Sequence, residues 1–394
     1  SSCKPDSRHA ARRRRPSFMV AVDGYVAPHP QWVRKAEPDA SGSKAFAAWL
    51  IGTPGVDARA AGLELRSSEA LGCGRGVCVG RQVPPGGLIA RIPASIVLST
   101  DALPRLEPFS SELAAAGQAA GLAGLPSTLR LWLYLIHARY RPDAEHHAYV
   151  RQCPVELDSP LFWTRAELEG LRGSSLRRTV SRQRTFAWRE FCHNIRPLTE
   201  ADPVHFPPDL FTFRALLWAR ATCTSRAFPP ALLGASEAVS FILCPLLDAL
   251  NHRSGAPIEW HGVEACGGAA IEFRLPKDAV PLEAGEEVWN DYGTSSNEEL
   301  LLQYGFCVPG SISDEVGIFV QAASPAVSLR SLATELRRRS LPADIIDIRS
   351  GGAGTAPAQR LAVGPFALRR AESSKGGRPL CVPPGLLAAF AACL

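Results

Sequence analysis

The pattern of apolar and polar positions changes twice along the chain, from short strands to helices and back to short strands. Over residues 63–99, apolar residues alternate with polar or small ones in short runs interrupted by glycine and proline, which predicts β-strands. Over residues 101–220 the apolar spacing becomes helical, and residues 129–140 are apolar nearly all round, which predicts a buried helix. Residues 258–264 and 270–275 again predict strands.

Local signals predict where several helices begin. Residues 43–50 carry their large apolar side chains on one helical face, which predicts a short amphipathic helix. Thr164 followed by Glu167 predicts a capping box. A further helix that extends to residue 304 is predicted to have either Ser296 or Asn297 as its N-cap.

After residue 310 the pattern predicts helices again. Residues 328–339 form an amphipathic pattern, residues 350–378 predict loops with one helix, and residues 384–394 predict the opening of a last helix. We therefore expect a C-terminal helical domain that looks incomplete.

Composition and charge narrow the class of protein. Of the 394 residues, 46% are hydrophobic, which is ample for a core, and the absence of a run of eighteen apolar residues predicts no membrane-spanning helix. The net charge is +5, but residues 1–35 hold eight basic and two acidic residues, which leaves 35 basic and 36 acidic residues in the rest. The globular part therefore gives no electrostatic argument for nucleic-acid binding.

The basic residues near the N-terminus allow two interpretations. Residues 1–18 contain five arginines and one acid, without apolar periodicity. They indicate either a disordered basic tail or the remains of a transit peptide, which is typically rich in Arg and Ser and poor in acids. The chloroplast is therefore one predicted compartment, and the cytoplasm and the nucleus are the alternatives.

The eleven cysteines predict reduced thiols rather than a metal site. They are scattered, no pair forms a CxxC motif, and no cysteine and histidine cluster has the spacing of zinc ligands. An odd number of cysteines without a secretory signal favours a reducing compartment.

Two segments of residues 245–306 carry the candidate chemistry. The segment PLLDALNHRSG (245–255) brings together Asp248, Asn251 and His252 after an apolar run, and the segment NDYGTSSNEELLLQYGF (290–306) contains Tyr292 and Tyr304. Taken alone, the Asn-His pair favours a capped turn with the histidine satisfied in the core. We expect Asp248 to shape this turn.

Two further features allow a structural and a functional interpretation. Gly74, Arg75 and Gly76 predict a β-turn between two strands, whose glycines either permit positive φ or let a ligand approach the backbone closely. Arg226 follows an apolar helix predicted over residues 211–220, and it either interacts with the helix dipole or holds a carboxylate through its bidentate guanidinium.

These motifs together resemble a known family. The segment GCGRGVCVGRQVPPGGLIARIPASIVLS (72–99) resembles the N-terminal half of a SET domain, and the two segments of residues 245–306 resemble its C-terminal half. The helical stretch between them resembles the insertion of the Rubisco large-subunit methyltransferase-like branch. The resemblance implies an α+β fold of small β-sheets with knot-like C-terminal threading, a helical insertion and an incomplete C-terminal helical domain.

The resemblance also implies domain boundaries. The expected order is a tail (1–40), the N-terminal half of the SET domain (41–100), the helical insertion (101–220), the C-terminal half (221–310) and a partial substrate-binding domain (311–394).

For the chemistry, the resemblance implies a protein-lysine N-methyltransferase that uses S-adenosylmethionine. The implied cofactor-binding residues lie in all three motif regions. They are Gly74, Arg75 and Gly76 through their backbone, Arg226 at the carboxylate, Asn251 and His252 at the ammonium and adenine, and Phe306.

The implied catalytic residues are two tyrosines, and no metal is expected. Tyr292 would lie where the methyl group is transferred, and Tyr304 would line the lysine channel. Phe306 would also set the room left for methylated amines. The expected partner is a protein that presents a lysine, with no specific nucleic-acid binding, no membrane contact and a monomeric state.

Two alternatives remain at this point. One is a catalytically silent SET-fold protein that binds partners, whose sequence signature would be damage to Asn251, His252 or Tyr292, all of which are intact. The other is histidine methylation, against which the retention of Tyr304 favours lysine. One departure from the branch is Cys73, where an acid is frequent.

Overall fold

The computed structural model describes most of the chain between residues 40 and 381. The described residues are 40–58, 61–68, 74–155, 157–234, 241–265, 268–309, 311, 313, 315–322, 346–349, 360–370 and 380–381. The predicted basic tail therefore lies outside the described residues, and the domain boundaries stay predictions.

The N-terminal part contains the predicted amphipathic helix and short strands. Phe46 and Leu50 of the helix are buried in the main core, which is the reason that this short helix is stable against the strands. Val77 and Val79 are fully buried on the other side of this core. The elements are α1 (Ala40–Gly52), β1 (Glu64–Ser68), β2 (Gly74–Cys78) and β3 (Leu88–Pro93).

The Gly-Arg-Gly segment is a strand and not a turn. Residues 74–76 open β2 and pair with β1 in antiparallel register, Gly76 opposite Arg66 and Gly74 opposite Ser68. Neither glycine adopts a positive φ. The predicted β-turn is therefore wrong, because pairing with β1 holds this segment extended despite its glycines.

The predicted helical insertion is present. Its central helix, predicted over residues 129–140, is buried along most of its length, and the capping box of Thr164 and Glu167 is formed. The helices are α2 (Phe109–Ala119), α3 (Ser127–Tyr140), α4 (His147–Val150), α5 (Arg165–Glu169), α6 (Ser175–Glu190), α7 (Arg196–Ala201) and α8 (Phe213–Arg226). A π-helical turn (Phe191–Ile195) joins α6 to α7.

Helix α8 continues past the predicted end at residue 220 and includes Arg226 in its last turn. Ala221, Thr222 and Cys223 are all buried against the core. This packing outweighs the modest helix propensity of threonine and cysteine. The expectation that Arg226 follows the helix is therefore wrong by one and a half turns of helix.

Helix α6 is rich in arginine, and such a basic helix typically exposes its charged side chains to solvent. Not all of its arginines do so. The Arg184 side chain is buried and donates hydrogen bonds to the carbonyl oxygens of Pro160 (3.1 Å), Leu161 (3.0 Å) and Trp163 (2.5 Å). It therefore ties the helix to the connector that precedes α5. Sequence spacing alone could not show that these carbonyls lie within its reach.

The C-terminal half of the core is built from short strands and one helix. The predicted strands 258–264 and 270–275 are confirmed within two residues. The elements are β4 (Ala227–Phe228), β5 (Ile242–Leu243), β6 (Asn251–His252), β7 (Glu259–Ala265), β8 (Gly268–Arg274), β9 (Trp289–Asn290) and α9 (Asn297–Tyr304).

The strand pairing brings together segments that are distant in sequence. Strands β3, β8 and β7 form an antiparallel sheet in that order, β1 pairs with β2, and β4 pairs with β5. Strand β6 lies parallel to β9, with Asn251 opposite Trp289 and His252 opposite Asn290. The segment before β9 also runs along β2, since the Val288 N–H donates to the Val77 carbonyl (2.7 Å). The Asn-His segment and the Tyr-Gly segment are therefore neighbours, as the resemblance implied.

Helix α9 begins and ends as local chemistry dictates. Ser296 is the N-cap and forms a capping box with Glu299, so of the two predicted residues Ser296 is the cap. Gly305 ends the helix with φ +84°, and a Cβ there would lie 2.9 Å from the carbonyl carbon of Asp158. Both the backbone conformation and the lack of space require glycine between Tyr304 and Phe306.

The described residues beyond 310 are strands, so the prediction of helices is wrong for them. They form an antiparallel sheet in the order β10, β12 and β11, with β13 paired to β12. Gly364 and Pro365 lie at a register shift opposite residue 319, where a strand tolerates proline. The predicted helices at 328–339 and 384–394 lie outside the described residues. The strands are β10 (Glu315–Ala322), β11 (Ile346–Arg349), β12 (Arg360–Arg370) and β13 (Leu380–Cys381).

Across the described part of the chain, every helix is too short or too polar to cross a membrane. The same part holds no group of three or more His, Cys, Asp or Glu residues placed to bind a metal ion.

Candidate functional site

A cavity of about 940 Å³ lies where the N-terminal strands, the helical insertion and the C-terminal half meet. Its volume is at the upper end of the range for small-molecule sites. Of the nine predicted site residues, seven line it, and they come from β2, the end of α8, β6 and the segments around α9. They are Arg75, Arg226, Asn251, His252, Tyr292, Tyr304 and Phe306.

One end of the cavity is aromatic. The ring centroids of Tyr292 and Tyr304 are 4.6 Å apart, and those of His252 and Tyr292 are 5.0 Å apart. Phe306 stacks on His252 at 5.8 Å with an interplanar angle of 27°. Four rings from β6, the segment after β9 and the end of α9 thus form one cluster, which we call the aromatic end.

Tyr292 is fixed at both its backbone and its hydroxyl. Its hydroxyl donates to the carbonyl oxygen of Leu250 (2.7 Å), and its N–H donates to Nδ1 of His252 (3.1 Å). Nδ1 of His252 is the acceptor of this hydrogen bond, so the imidazole orients the Tyr292 backbone. A hydroxyl oxygen keeps acceptor capacity while it donates its proton.

Tyr304 differs from Tyr292 in having no fixed hydroxyl. Within the described residues, its hydroxyl has no hydrogen-bond partner, although its ring is packed between Tyr292 and Phe306. Burial raises the pKa of Tyr304, so the hydroxyl keeps its proton at neutral pH. It can therefore both donate to and accept from a group that enters the cavity.

The other end of the cavity is charged. A guanidinium nitrogen of Arg226 donates to the backbone carbonyl of Asp248 (2.5 Å) and lies 3.4 Å from its carboxylate. The side chain of Asp248 is 2% exposed and that of Arg226 is 17% exposed. The Tyr149 hydroxyl donates to the same carboxylate (2.6 Å). Asp248 is therefore the buried partner of Arg226, and not simply a residue that shapes the turn.

Burial and pairing act in opposite directions on this ion pair. Burial raises the pKa of Asp248, and the charge of Arg226 and the hydrogen bonds from Tyr149 and Arg226 oppose that rise. For Arg226, burial lowers the pKa, but the negative charge of Asp248 and the smaller contributions of Cys153, Tyr149 and Tyr292 together raise it overall. Arg226 therefore keeps its charge inside the cavity wall.

Arg75 supplies a second guanidinium at the charged end, and its bonded partners are neutral. It donates to Oε1 of Gln152 (2.5 Å), to the Gln152 carbonyl (2.8 Å) and to the Ser43 hydroxyl (3.2 Å). Within the described residues it has no carboxylate partner. Burial, and then the charge of Arg226, lower its pKa. The charged end therefore holds two guanidinium groups and one carboxylate, which contacts Arg226 and not Arg75, and this excess of positive charge suits an incoming anion.

The Asn251 side chain is held between two strands. Its Nδ2 donates to the Glu287 carboxylate (2.7 Å) and to the Arg75 carbonyl (3.1 Å). A Cβ on Gly76 would lie only 2.0 Å from Oε1 of Glu287. Gly76 thus makes room for Glu287. Arg75 lines the cavity, whereas its neighbour Gly76 does not.

Sequence reasoning missed four residues of the site: Tyr149, Gln152, Asp248 as an ion-pair partner, and Glu287. Tyr149 and Gln152 lie in or just after α4, where the prolines nearby predicted an irregular connector. Glu287 lies beside valine in a strand-like pattern, so nothing local distinguished it from a solvent-facing carboxylate. The sequence signal for these residues was Asp248, three residues before the Asn-His pair. A carboxylate at this position can either shape the turn or pair with a cation.

Comparisons with known proteins agree on a family. No protein-family model matches the chain. The Rubisco large-subunit N-methyltransferase of Pisum sativum, a chloroplast protein, is 28% identical over 246 residues, which cover 60% of this chain and 46% of that protein. The chloroplast fructose-bisphosphate aldolase-lysine N-methyltransferase of Arabidopsis thaliana is 30% identical, covering 59% and 48%. The chain thus spans about half the length of these relatives.

A more distant relative carries a different activity in its name. The actin-histidine N-methyltransferase of Danio rerio is 25% identical over 218 residues, which cover 55% of this chain and 35% of that protein.

Solved structures show the same fold. The SET domain of the Rubisco large-subunit methyltransferase, solved with lysine and S-adenosylhomocysteine, superposes with a TM-score of 0.66 at 20% identity, covering 90% of this chain and 71% of that one. The same enzyme with S-adenosylmethionine gives 0.65 at 22% identity, covering 89% and 70%. The chain therefore has the α+β SET-domain fold, and its similarity to these enzymes confirms the predicted resemblance to the Rubisco large-subunit methyltransferase-like branch.

Proposed function

We propose that the chain is a protein-lysine N-methyltransferase that uses S-adenosylmethionine. The observation that carries the proposal is a single cavity with a charged end and an aromatic end, in which the hydroxyl of Tyr292 is anchored on the Leu250 carbonyl. The similar enzymes reported above support the proposal by their names and by the ligands in their structures.

The residues of the cavity fit this cofactor. Its carboxylate suits the charged end, where Arg75 and Arg226 offer fork-shaped donors. Its ammonium suits the Asn251 side chain, and its adenine suits backbone groups of His252 and the ring of Phe306. Gly76 acts indirectly, by letting β2 pack closely against Glu287 and Asn251.

The distance between the two ends also fits. Arg226 binds the carbonyl of Asp248, and Tyr292 binds the carbonyl of Leu250, two residues further along the same backbone. Two residues of chain span at most about 7 Å. A carboxylate and a sulfonium that belong to one short amino-acid chain can therefore reach both groups at once.

When bound, the cofactor supplies an electrophilic methyl group on a sulfonium. The chain contributes the alignment of the lysine amine with that methyl group, from the hydroxyls of Tyr292 and Tyr304, whose rings pack side by side at the aromatic end. An apolar, desolvating wall favours the neutral amine over the ammonium, and only the neutral amine has a lone pair to react. The Tyr292 oxygen can accept weak C–H···O contacts from the methyl group.

Histidine methylation is the second candidate, and the name of the Danio rerio relative favours it. Tyr304 favours lysine over histidine, because its hydroxyl has no partner within the described residues and can orient an amine. The third candidate, a silent binding protein, would not need the hydrogen bonds that fix Asn251 and Tyr292.

For the compartment we propose the chloroplast, with the cytoplasm and the nucleus as alternatives. The support is the Arg- and Ser-rich composition of residues 1–18 and the chloroplast location of two relatives. Fluorescence microscopy of a fusion of residues 1–40 to a fluorescent protein in plant cells tests this proposal. Exclusion of the fusion from plastids would contradict it.

The proposed activity is tested by incubating the purified chain with tritium-labelled S-adenosylmethionine and a cell extract. We expect a labelled protein band whose digest contains methyl-lysine, as read by mass spectrometry. Methyl-histidine in that digest would establish the second candidate. The absence of label, together with no calorimetric binding of S-adenosylhomocysteine, would favour a silent binding protein.

A further inference from the structure

The carboxylate of Glu287 lies between β2 and the Asn-His segment, although it is not part of the wall that lines the cavity. It is half-buried, and Oε1 accepts a hydrogen bond from Nδ2 of Asn251 (2.7 Å). It occupies the space that a side chain at position 76 would fill. Its place is set by the backbone, because Glu287 bridges to Cys78 of β2 and its neighbour Val288 donates to Val77.

The two hydrogen bonds of Asn251 determine which way its amide faces. An asparagine amide has two N–H donors on nitrogen and acceptor lone pairs on oxygen. Nδ2 of Asn251 donates to the Glu287 carboxylate and to the Arg75 carbonyl. Both of these groups can accept a hydrogen bond but cannot donate one. A flipped amide would place Oδ1 against these two oxygen atoms, which is repulsive, so the orientation is fixed.

In this orientation, the Asn251 amide offers a ligand only its oxygen atom. Asn251 lines the cavity, and its two N–H donors are used by the Arg75 carbonyl and by Glu287, which is not among the residues that line the cavity. The planar amide therefore presents Oδ1, an acceptor, to whatever occupies the cavity. An acceptor at this point suits the ammonium of an amino acid and disfavours a second carboxylate.

We propose that Glu287 is a positioning residue that holds the Asn251 amide oxygen toward the cavity, so that the site selects a ligand with an ammonium group. This inference rests on the proposed function, since the ammonium concerned is that of the methyl donor. Glu287 acts through Asn251 and does not touch the ligand. Gly76 contributes to this positioning, because any larger residue there would displace the Glu287 carboxylate.

The test compares two ligands by titration calorimetry. S-adenosylhomocysteine carries the amino-acid end, and methylthioadenosine has the same adenosine and thioether without it. In Glu287→Met, which removes the acceptor at similar size, we expect S-adenosylhomocysteine to bind about tenfold more weakly and methylthioadenosine to change by less than about twofold. Glu287→Gln keeps an acceptor oxygen for Nδ2, so we expect it to lose less than about threefold for either ligand.

Glu283→Gln is the matched control, because Glu283 is an exposed carboxylate four residues earlier whose bonds reach Gln82 rather than Asn251. We expect it to bind both ligands like the wild type. Equal weakening of both ligands in Glu287→Met would overturn the inference, because it indicates a merely structural role. So would a Glu287→Gln that behaves like Glu287→Met, since charge rather than the acceptor would then matter. If the wild type fails to bind S-adenosylhomocysteine, the proposed function fails first and the inference with it.

Discussion

The two ends of the cavity are held in different ways. The charged end depends on a buried ion pair and its hydrogen bonds, and its parts come from β2, α4 and the segment after it, α8 and the turn before β6. The aromatic end depends on ring packing and on two hydrogen bonds of Tyr292, and its parts all lie between residues 250 and 306. A change at the charged end should therefore affect folding and binding, and a change at the aromatic end should affect the reaction.

The largest effect is expected for Arg226→Met at the charged end. The substitution leaves the Asp248 carboxylate buried with Tyr149 as its remaining hydrogen-bond donor. Removing one partner of a buried ion pair typically costs about 3–5 kcal/mol, so we expect the free energy of unfolding in urea to fall by about that amount. The double variant Arg226→Met/Asp248→Asn should recover much of this loss. A single variant as stable as the wild type would contradict the buried pair.

The second effect is expected for Tyr292→Phe at the aromatic end. The ring remains, but the hydroxyl that is anchored on Leu250 is lost. Because small misplacements of reacting groups are costly, we expect kcat for methyl transfer to fall about 100-fold. Calorimetry should show the affinity for S-adenosylhomocysteine within about threefold of the wild type. Methyl transfer by this variant at the wild-type rate would contradict the proposed role of Tyr292.

A third effect separates the two arginines of the charged end. Arg75 bonds to neutral groups, so Arg75→Met leaves no buried carboxylate unpaired and should leave the free energy of unfolding within about 1 kcal/mol of the wild type. Its loss should weaken S-adenosylhomocysteine binding about tenfold, because a charge-assisted bond to the carboxylate is lost. If Arg75→Met binds the ligand unchanged, Arg226 is the cation that matters.

The smallest effect is expected for Tyr304→Phe. Its hydroxyl has no partner within the described residues, so its removal should leave stability unchanged. One hydrogen bond to the lysine amine contributes about 1 kcal/mol, which predicts a fall of about fivefold in kcat. An unchanged kcat at several concentrations of a methylatable protein would place the amine elsewhere in the cavity.

The contrast between the two ends also explains what the sequence could predict. The aromatic end could be predicted, because its residues lie in short sequence motifs that keep their members close together in the fold. These motifs contain Asn251, His252, Tyr292, Tyr304 and Phe306. The geometry of the aromatic end follows from the parallel pairing of β6 and β9, whereas the family resemblance implied only that these two segments thread past each other.

The charged end could be predicted only in part. Arg226 stood out, but its partner Asp248 lies 22 residues away in sequence, and the Tyr149 hydroxyl that binds Asp248 comes from a segment 99 residues from it. The interpretation of residues 74–76 as a turn was wrong because pairing with β1, rather than glycine content, determines the backbone there. The strands after residue 310 were missed for a related reason, since long-range pairing decides them and the local pattern predicted helices and loops.

The most direct test of the two-ended cavity is a crystal structure of the chain with S-adenosylhomocysteine. We predict that the ligand carboxylate lies within hydrogen-bonding distance of Arg75 or Arg226, and that the sulfur atom faces the rings of Tyr292 and Tyr304. A ligand bound outside this cavity, or bound in it with the carboxylate at the aromatic end, would contradict the account.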